Sequence, residues 1–165
     1  MTQRAAPEEG TTRMLRTARR LLAQGDAGDG PFQRQASVGQ PVPVVGTHGE
    51  LDSWLVPVTV GDRLGGYFRF TAAGDYSSFS AFPRRGERFD DCPLAADWLD
   101  AGRIAARAEP LRRRDETASP PFLSYDRTPE RLAWAVRLTR PDGSARIVYV
   151  AGNSVFTPRQ DDSVG

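Results

Sequence analysis

The chain has 165 residues, with 22 basic and 21 acidic side chains and a net charge of +1. That balance excludes a general electrostatic pull toward nucleic acid or an anionic membrane surface. The length suits one ordinary domain or two very small ones, enough to bury roughly two thirds of the unfolded surface.

Residues 1–10 read as a disordered tail. Thr11 or Thr12 then caps a first helix, with Met14, Leu15, Ala18, Leu21 and Leu22 on one stripe and Arg13, Arg16, Arg19 and Arg20 opposite. Gly25 ends it, and Gly25 to Gln40, rich in Gly, Asp and Gln, reads as a loop. Pro41 to Val45 is a short extended run at an edge, given its two prolines. Ser53 to Val60 places Trp54, Val56, Val58 and Val60 on one face of a half-buried strand. Gly61-Asp62 turns into Tyr67 to Ala72, and Gly74-Asp75 turns into Tyr76 to Phe82, giving a β-meander. After a polar loop from Pro83, Pro93 suits the first turn of a second helix. Its buried stripe is Leu94, Ala95, Trp98, Leu99 and Ile104. Glu109 to Pro121 is a charged connector. Phe122 to Tyr125 is extended, Arg131 to Arg140 alternates Leu132, Trp134, Val136 and Leu138, and Pro141-Asp142-Gly143-Ser144 is the strongest turn signal. Arg146 to Val150 and the short Ser154 to Phe156 complete the strands, and residues 159–165 form a tail.

Displacing the sequence by 80 positions without a gap superposes Pro41 on Pro121, Glu50 on Glu130, Trp54 on Trp134, Val56 on Val136, Thr59 on Thr139 and Asp62 on Asp142. Each stretch follows an amphipathic helix. The expected fold class is therefore α+β, built as two related units of a helix plus an antiparallel hairpin or meander, residues 11–83 and 84–158. About two main helices and seven or eight short strands are expected.

The second unit carries a further likeness. Leu123-Ser124-Tyr125, then Arg131-Leu132-Ala133-Trp134-Ala135-Val136-Arg137-Leu138, then Gly143 and Arg146-Ile147-Val148-Tyr149-Val150-Ala151-Gly152 resemble the PepSY module. That module occurs in metallopeptidase propeptides and in stand-alone bacterial proteins. The resemblance, over residues 122–152, implies a cystatin-like helix packed on an antiparallel sheet, and a non-catalytic module that binds or restrains another protein. The family's usual ending is an acidic residue, a small residue, Thr and Gly. Here Val150-Ala151-Gly152-Asn153 stands in its place. The resemblance transfers no functional residue.

No catalytic, metal or cofactor set stands out. His48 is the only histidine and Cys92 the only cysteine. A nucleophile–base pair between them is opposed by Asp90 and Asp91, which raise a neighbouring thiol's pKa. One His and one Cys do not make a zinc site, and Asp90, Asp91 and Asp97 match no calcium loop. Gly61 to Gly66 lacks the Gly-Lys-Ser/Thr ending of a phosphate loop. A lone cysteine forms no internal disulfide, which fits a reducing compartment. Met1 to Gly10 has no apolar core of a secretory signal, and no apolar run is long enough for a bilayer. A soluble, cytoplasmic protein with no cofactor is expected. The basic residues are all Arg, a bias that follows a GC-rich genome.

The leading expectation is a protein-interaction module that meets a protein partner, itself or another chain, through a sheet face or edge strand. Its candidate residues are Tyr76, Phe79 and Phe82, whose odd spacing places them on different strand faces. The Arg runs Arg84-Arg85 and Arg112-Arg113-Arg114 join them. Trp54 and Trp134 read as core. A second reading is a small-molecule binder or enzyme with an aromatic pocket in a curled sheet, using Asp62, Asp75, Tyr67 or Tyr125. A third is nucleic-acid binding through the Arg-rich loops, which the interspersed acids Glu87, Asp90, Asp91, Asp115 and Glu116 oppose.

Overall fold

A computed structural model describes residues 7–46, 48–128 and 131–158. Glu130 and the tail segments 1–6 and 159–165 lie outside the described residues. Within them the protein is α+β, with four α-helices and ten strands, more of each than the alternation of apolar residues implied. The chain divides into two compact units, Met1–Ala96 and Asp97–Gly165. The division falls after Ala96 and not after Pro83, because the loop beyond Pro83 is anchored in the first unit. Phe89 and Cys92 join that unit's core, Leu64 N–H donates to Pro93 O at 2.9 Å, and Ala95 N–H to Asp62 O at 2.8 Å.

In the first unit, α1 (Pro7–Gln24) starts upstream of the Thr11–Thr12 cap, with Pro7 at its first position and Glu8 and Glu9 in its first turn. Proline tolerates that position, and the two carboxylates suit the partial positive charge there. Residues 7–10 are thus helical. Met14, Ala18 and Leu22 are buried against Val56, Val58, Phe68 and Phe70. Gly25 ends the helix at φ +78, with Gly25 N–H on Leu22 O and Asp26 N–H on Leu21 O, the paired bonds of a Schellman stop.

The stretch 25–40 is not a plain loop. It holds α2 (Gly30–Gln35), which follows Asp29 and has Pro31 in its first turn, and β1 (Ser37–Val38). α2 exists to insert Phe32, which is 2% exposed. The strands β2 (Val42–Val45), β3 (Leu51–Val60), β4 (Arg63–Thr71) and β5 (Tyr76–Ala81) pair antiparallel in the order β2-β3-β4-β5, and β1 also pairs with β3. Gly65 is the extra residue of a bulge on β4. A Cβ there would stand 2.8 Å from the Phe32 ring, so only glycine fits beneath that ring.

α3 (Ala95–Leu99) runs across the division between units, and α4 (Ala101–Ala108) follows at once. The single second helix expected from sequence is broken at Asp100, whose carboxylate accepts from Arg103 N–H at 3.1 Å and caps α4. In the second unit, α4 buries Ile104 and Ala108 and packs on two strands, β8 (Leu132–Thr139) and β9 (Ala145–Ala151). The remaining strands are β6 (Thr117–Ala118), β7 (Phe122–Tyr125) and β10 (Ser154–Phe156). They pair antiparallel in the order β7-β8-β9-β10, with β6 also on β8.

The pairings of the two units run in parallel. Ser37 opposes Thr59, and 80 positions on, Thr117 opposes Thr139. Pro43 opposes Trp54, and Leu123 opposes Trp134. Val56 opposes Phe68, and Val136 opposes Val148. The match lapses at the turns, where the first unit uses a two-residue Gly61-Asp62 turn plus the Gly65 bulge. The second uses a longer turn, with Arg140 N–H on Ser144 O at 2.8 Å and Gly143 at φ +87.

Candidate functional site

β5 is the outer strand of the first unit's order and pairs with β4 alone among the described residues. Its sequence, Tyr-Ser-Ser-Phe-Ser-Ala, has no charge and no proline. Natural sheets guard their edges with charges, prolines and bulges, and β5 has only a bulge. Phe82 N–H donates to Gly65 O at 2.9 Å. By the alternation of an antiparallel ladder, Ser80 and Ser78 then also face β4, which leaves the N–H and C=O of Phe79 and Ala81 on the open side.

Tyr76 and Phe79 lie on the same face, contrary to what their odd spacing implies. The register shifts between Arg69 and Phe70, so Tyr76 opposes Phe70 while Phe79 opposes Phe68. One bulged residue restores the phase. Tyr76 is 42% exposed, its ring about 6 Å from those of Phe68 and Phe70. Phe79 is half-buried, 4.9 Å from the Phe68 ring and 5.7 Å from Phe32. Phe82 follows the strand, packs against the core and meets Tyr67 edge-on at 6.2 Å.

The two Arg runs separate. Arg84 is a structural residue: its side chain is 8% exposed, ion-paired with Asp29 and bonded to Gly86 O. Its guanidinium lies 4.4 Å from the Phe89 ring centroid and 5.3 Å from that of Phe32. A desolvated guanidinium between two rings, with a carboxylate at its fork, fastens the 82–92 loop to α2. The Gly, Asp and Gln content of 25–40 hides this arrangement in the sequence by reading as a loop, although Asp29-Gly30-Pro31 is a helix-start signal. Arg85 is exposed and its N–H donates to Asp91 at 3.1 Å. Arg112 is held by Glu109 at 2.6 Å and donates to Glu116 O at 2.9 Å. Arg113 N–H donates to Glu116 Oε2 at 2.8 Å, and the Arg113 and Arg114 side chains are exposed.

Glu116 is the most enclosed of three buried acids of the second unit among the described residues, the others being Asp97 and Asp126. The Glu116 side chain is 1% exposed and takes Arg146 Nε at 2.7 Å and Nη2 at 2.8 Å. The Arg146 fork, aided by the Arg113 N–H, holds its pKa down at about 2 against burial, which acts the other way. Asp97, Arg103 and Arg107 form a second cluster, Arg107 reaching Asp97 at 2.7 Å and also bonding Gly152 O.

His48 is exposed in the β2–β3 turn, where its N–H meets Glu50 Oε2 at 3.1 Å. Cys92 is 1% exposed within the first unit's core, and burial raises its thiol pKa. It is packed as a small apolar side chain. Among the described residues no group of three or more His, Cys, Asp or Glu is placed to hold a metal ion, and no helix is long and apolar enough to cross a membrane. Trp134 is buried and its Nε1–H donates to Trp98 O at 2.6 Å. Trp54 is half-buried beside the first unit's core.

The surface of the first unit carries grooves among the described residues. One of about 400 Å³ is lined by Arg19, Leu22, Ala23, Gln33, Ala36, Ser37 and Val38. Another, about 450 Å³, is lined by Glu8, Thr11, Thr12, Leu15 and Gln40. Neither is lined by an aromatic ring or by Asp62, Asp75, Tyr67 or Tyr125. No family model, curated protein or solved structure matches this chain.

Proposed function

We propose that the protein is a non-catalytic interaction module that accepts an extended segment of a partner protein, or of a second copy, along the outer side of β5. The observation that carries this reading is the edge itself. β5 is exposed, uncharged and free of proline, with the backbone groups of Phe79 and Ala81 turned outward. Strand addition takes its affinity from such backbone groups and its selectivity from flanking side chains. Tyr76 supplies a half-exposed ring at one end of the strand. Arg84, committed to Asp29, has no part in this surface.

The same reading takes the two units as descendants of one helix-and-hairpin element, of the PepSY or cystatin-like kind. Its support is the common strand register 80 positions apart.

Ala81→Pro tests the edge. It removes one outward N–H at an exposed position and leaves the bonds of Phe82 and Ser80 to β4 in place. Light scattering across a concentration series reads self-association, and selection from a displayed peptide library reads other partners. The expected result is a dimer, or a set of extended peptides, that the wild-type chain binds and Ala81→Pro does not. A chain monomeric throughout, with no peptide that Ala81→Pro rejects, overturns the proposal.

A further inference from the structure

Eleven of the chain's arginines are each within ion-pair distance of a carboxylate, from Arg13 with Asp75 to Arg146 with Glu116. Arg16, Arg19 and Arg20 are different. All three are exposed on α1, and none makes an ion pair among the described residues. Their spacings of three and four put them on one helix face, where like charges work against the helix. Arg85, Arg113 and Arg114 are also exposed without a side-chain ion pair among the described residues, but they stand on irregular connectors, whereas Arg16, Arg19 and Arg20 share one face of a regular helix and together make a surface suited to negative charge.

Arg19 also borders the groove of about 400 Å³ between α1 and the α2–β1 segment. The groove offers apolar contact from Leu22, Ala23, Ala36 and Val38, and polar groups from Gln33 and Ser37. This mixture favours an acidic peptide segment with an apolar residue among its carboxylates. An anionic membrane is a poorer fit. An interfacial helix needs a free apolar face, and Met14, Ala18 and Leu22 are already buried in the core. Single-stranded nucleic acid fits less well too, because it needs rings for base stacking and the groove has none.

We propose that the Arg16, Arg19 and Arg20 face and the adjoining groove form a second interaction surface, which binds an acidic segment of a partner protein. The surface is independent of β5. Arginine suits it because its fork engages carboxylates in pairs.

The test is fluorescence anisotropy with a labelled twelve-residue peptide of alternating Glu and Leu. Probes for comparison are the Lys–Leu peptide, a single-stranded oligonucleotide and vesicles containing phosphatidylserine. The acidic peptide is expected to bind, more weakly as salt rises. The triple variant Arg16→Gln, Arg19→Gln, Arg20→Gln, all at exposed helical positions, is expected to lose about tenfold in affinity, the scale of three exposed ion pairs. Arg113→Gln with Arg114→Gln is the control and changes affinity less than about twofold. Ala23→Trp, which fills the groove from an exposed position, is expected to weaken binding with the arginines intact. The proposal fails if the acidic peptide binds no better than the basic one, if the triple variant binds as wild type, or if the oligonucleotide or vesicles bind and the acidic peptide does not. Unchanged binding by Ala23→Trp overturns the role of the groove. Circular dichroism at 222 nm verifies that each variant is folded.

Discussion

The two units build the same pairing scheme and close it with opposite charges. In the first, a cation is buried: Arg84 lies against the rings of Phe32 and Phe89 and pairs with the more exposed Asp29. In the second, an anion is buried: Glu116 is enclosed by the Arg146 fork and backs onto the Arg113 N–H. In each case the pair ties an irregular connector to a regular element, the 82–92 loop to α2 and the 112–116 segment to β9. The antiparallel register thus sets where the strands lie, while the charge that secures each connector is a local choice. What a buried charge requires is a partner and a full set of hydrogen bonds, whichever sign it carries.

The largest expected effect breaks the symmetry outright, because Phe32 in its α2 helix has no counterpart in the second unit. Phe32 is 2% exposed, meets Phe79 and Phe89 edge-on and lies under Arg84. Phe32→Ala is expected to cost about 3–5 kcal/mol, from lost transfer energy and the cavity left behind. Urea denaturation measures it. A loss below about 1 kcal/mol would show that Phe32 is not a core residue.

A smaller effect sharpens the comparison. Val56 and Val136 occupy the same register place, opposite Phe68 and Val148, and are 0% and 2% exposed. Val56→Ala and Val136→Ala are each expected to cost about 2 kcal/mol, two methyl groups plus a partly collapsed cavity. Equal costs in denaturant titrations would mark the places as energetically alike. A difference beyond about 1.5 kcal/mol would show that the common register does not carry a common environment.

The particular elements show what sequence makes visible. Alternation over Trp54, Val56 and Val58, and again over Trp134, Val136 and Leu138, is a local pattern and locates β3 and β8. The α1 stripe and the Pro141-Asp142-Gly143-Ser144 turn are legible for the same reason. α2 has six residues, too few for a helical period, and β1 and β6 have two each. Such elements exist because tertiary partners hold them. The break at Asp100 needed one capping bond to be weighed against a continuous apolar stripe. Of the candidate surface, the position of β5 and its aromatic residues were readable, but the bulge that aligns Tyr76 with Phe79 was not, since alternation assumes an unbroken ladder. Arg84 reads as a surface charge until Asp29, Phe32 and Phe89, distant in sequence, are brought around it.

The last contrast is in acid: among the described residues the buried carboxylates all belong to the second unit, and Glu116 is the most enclosed of them. The hydrogen bonds from Arg146 hold Glu116 at about 2, below its ordinary value of 4.5. A carboxyl group whose folded pKa is depressed adds stability that is complete above its unfolded value and disappears as pH falls through the folded one. The Glu116 contribution is therefore full above about pH 4.5 and gone below about pH 2. Glu116→Gln keeps the shape and removes the charge, so it should lower Tm at neutral pH and flatten the fall between those limits. Arg146→Gln leaves Glu116 charged and enclosed without its fork, and should destabilise more at neutral pH than in acid, where the carboxyl group is protonated. Tm measured from pH 2 to 7 on the three proteins decides it. Parallel Tm–pH curves for wild type and Glu116→Gln would mean that this pair does not govern acid stability.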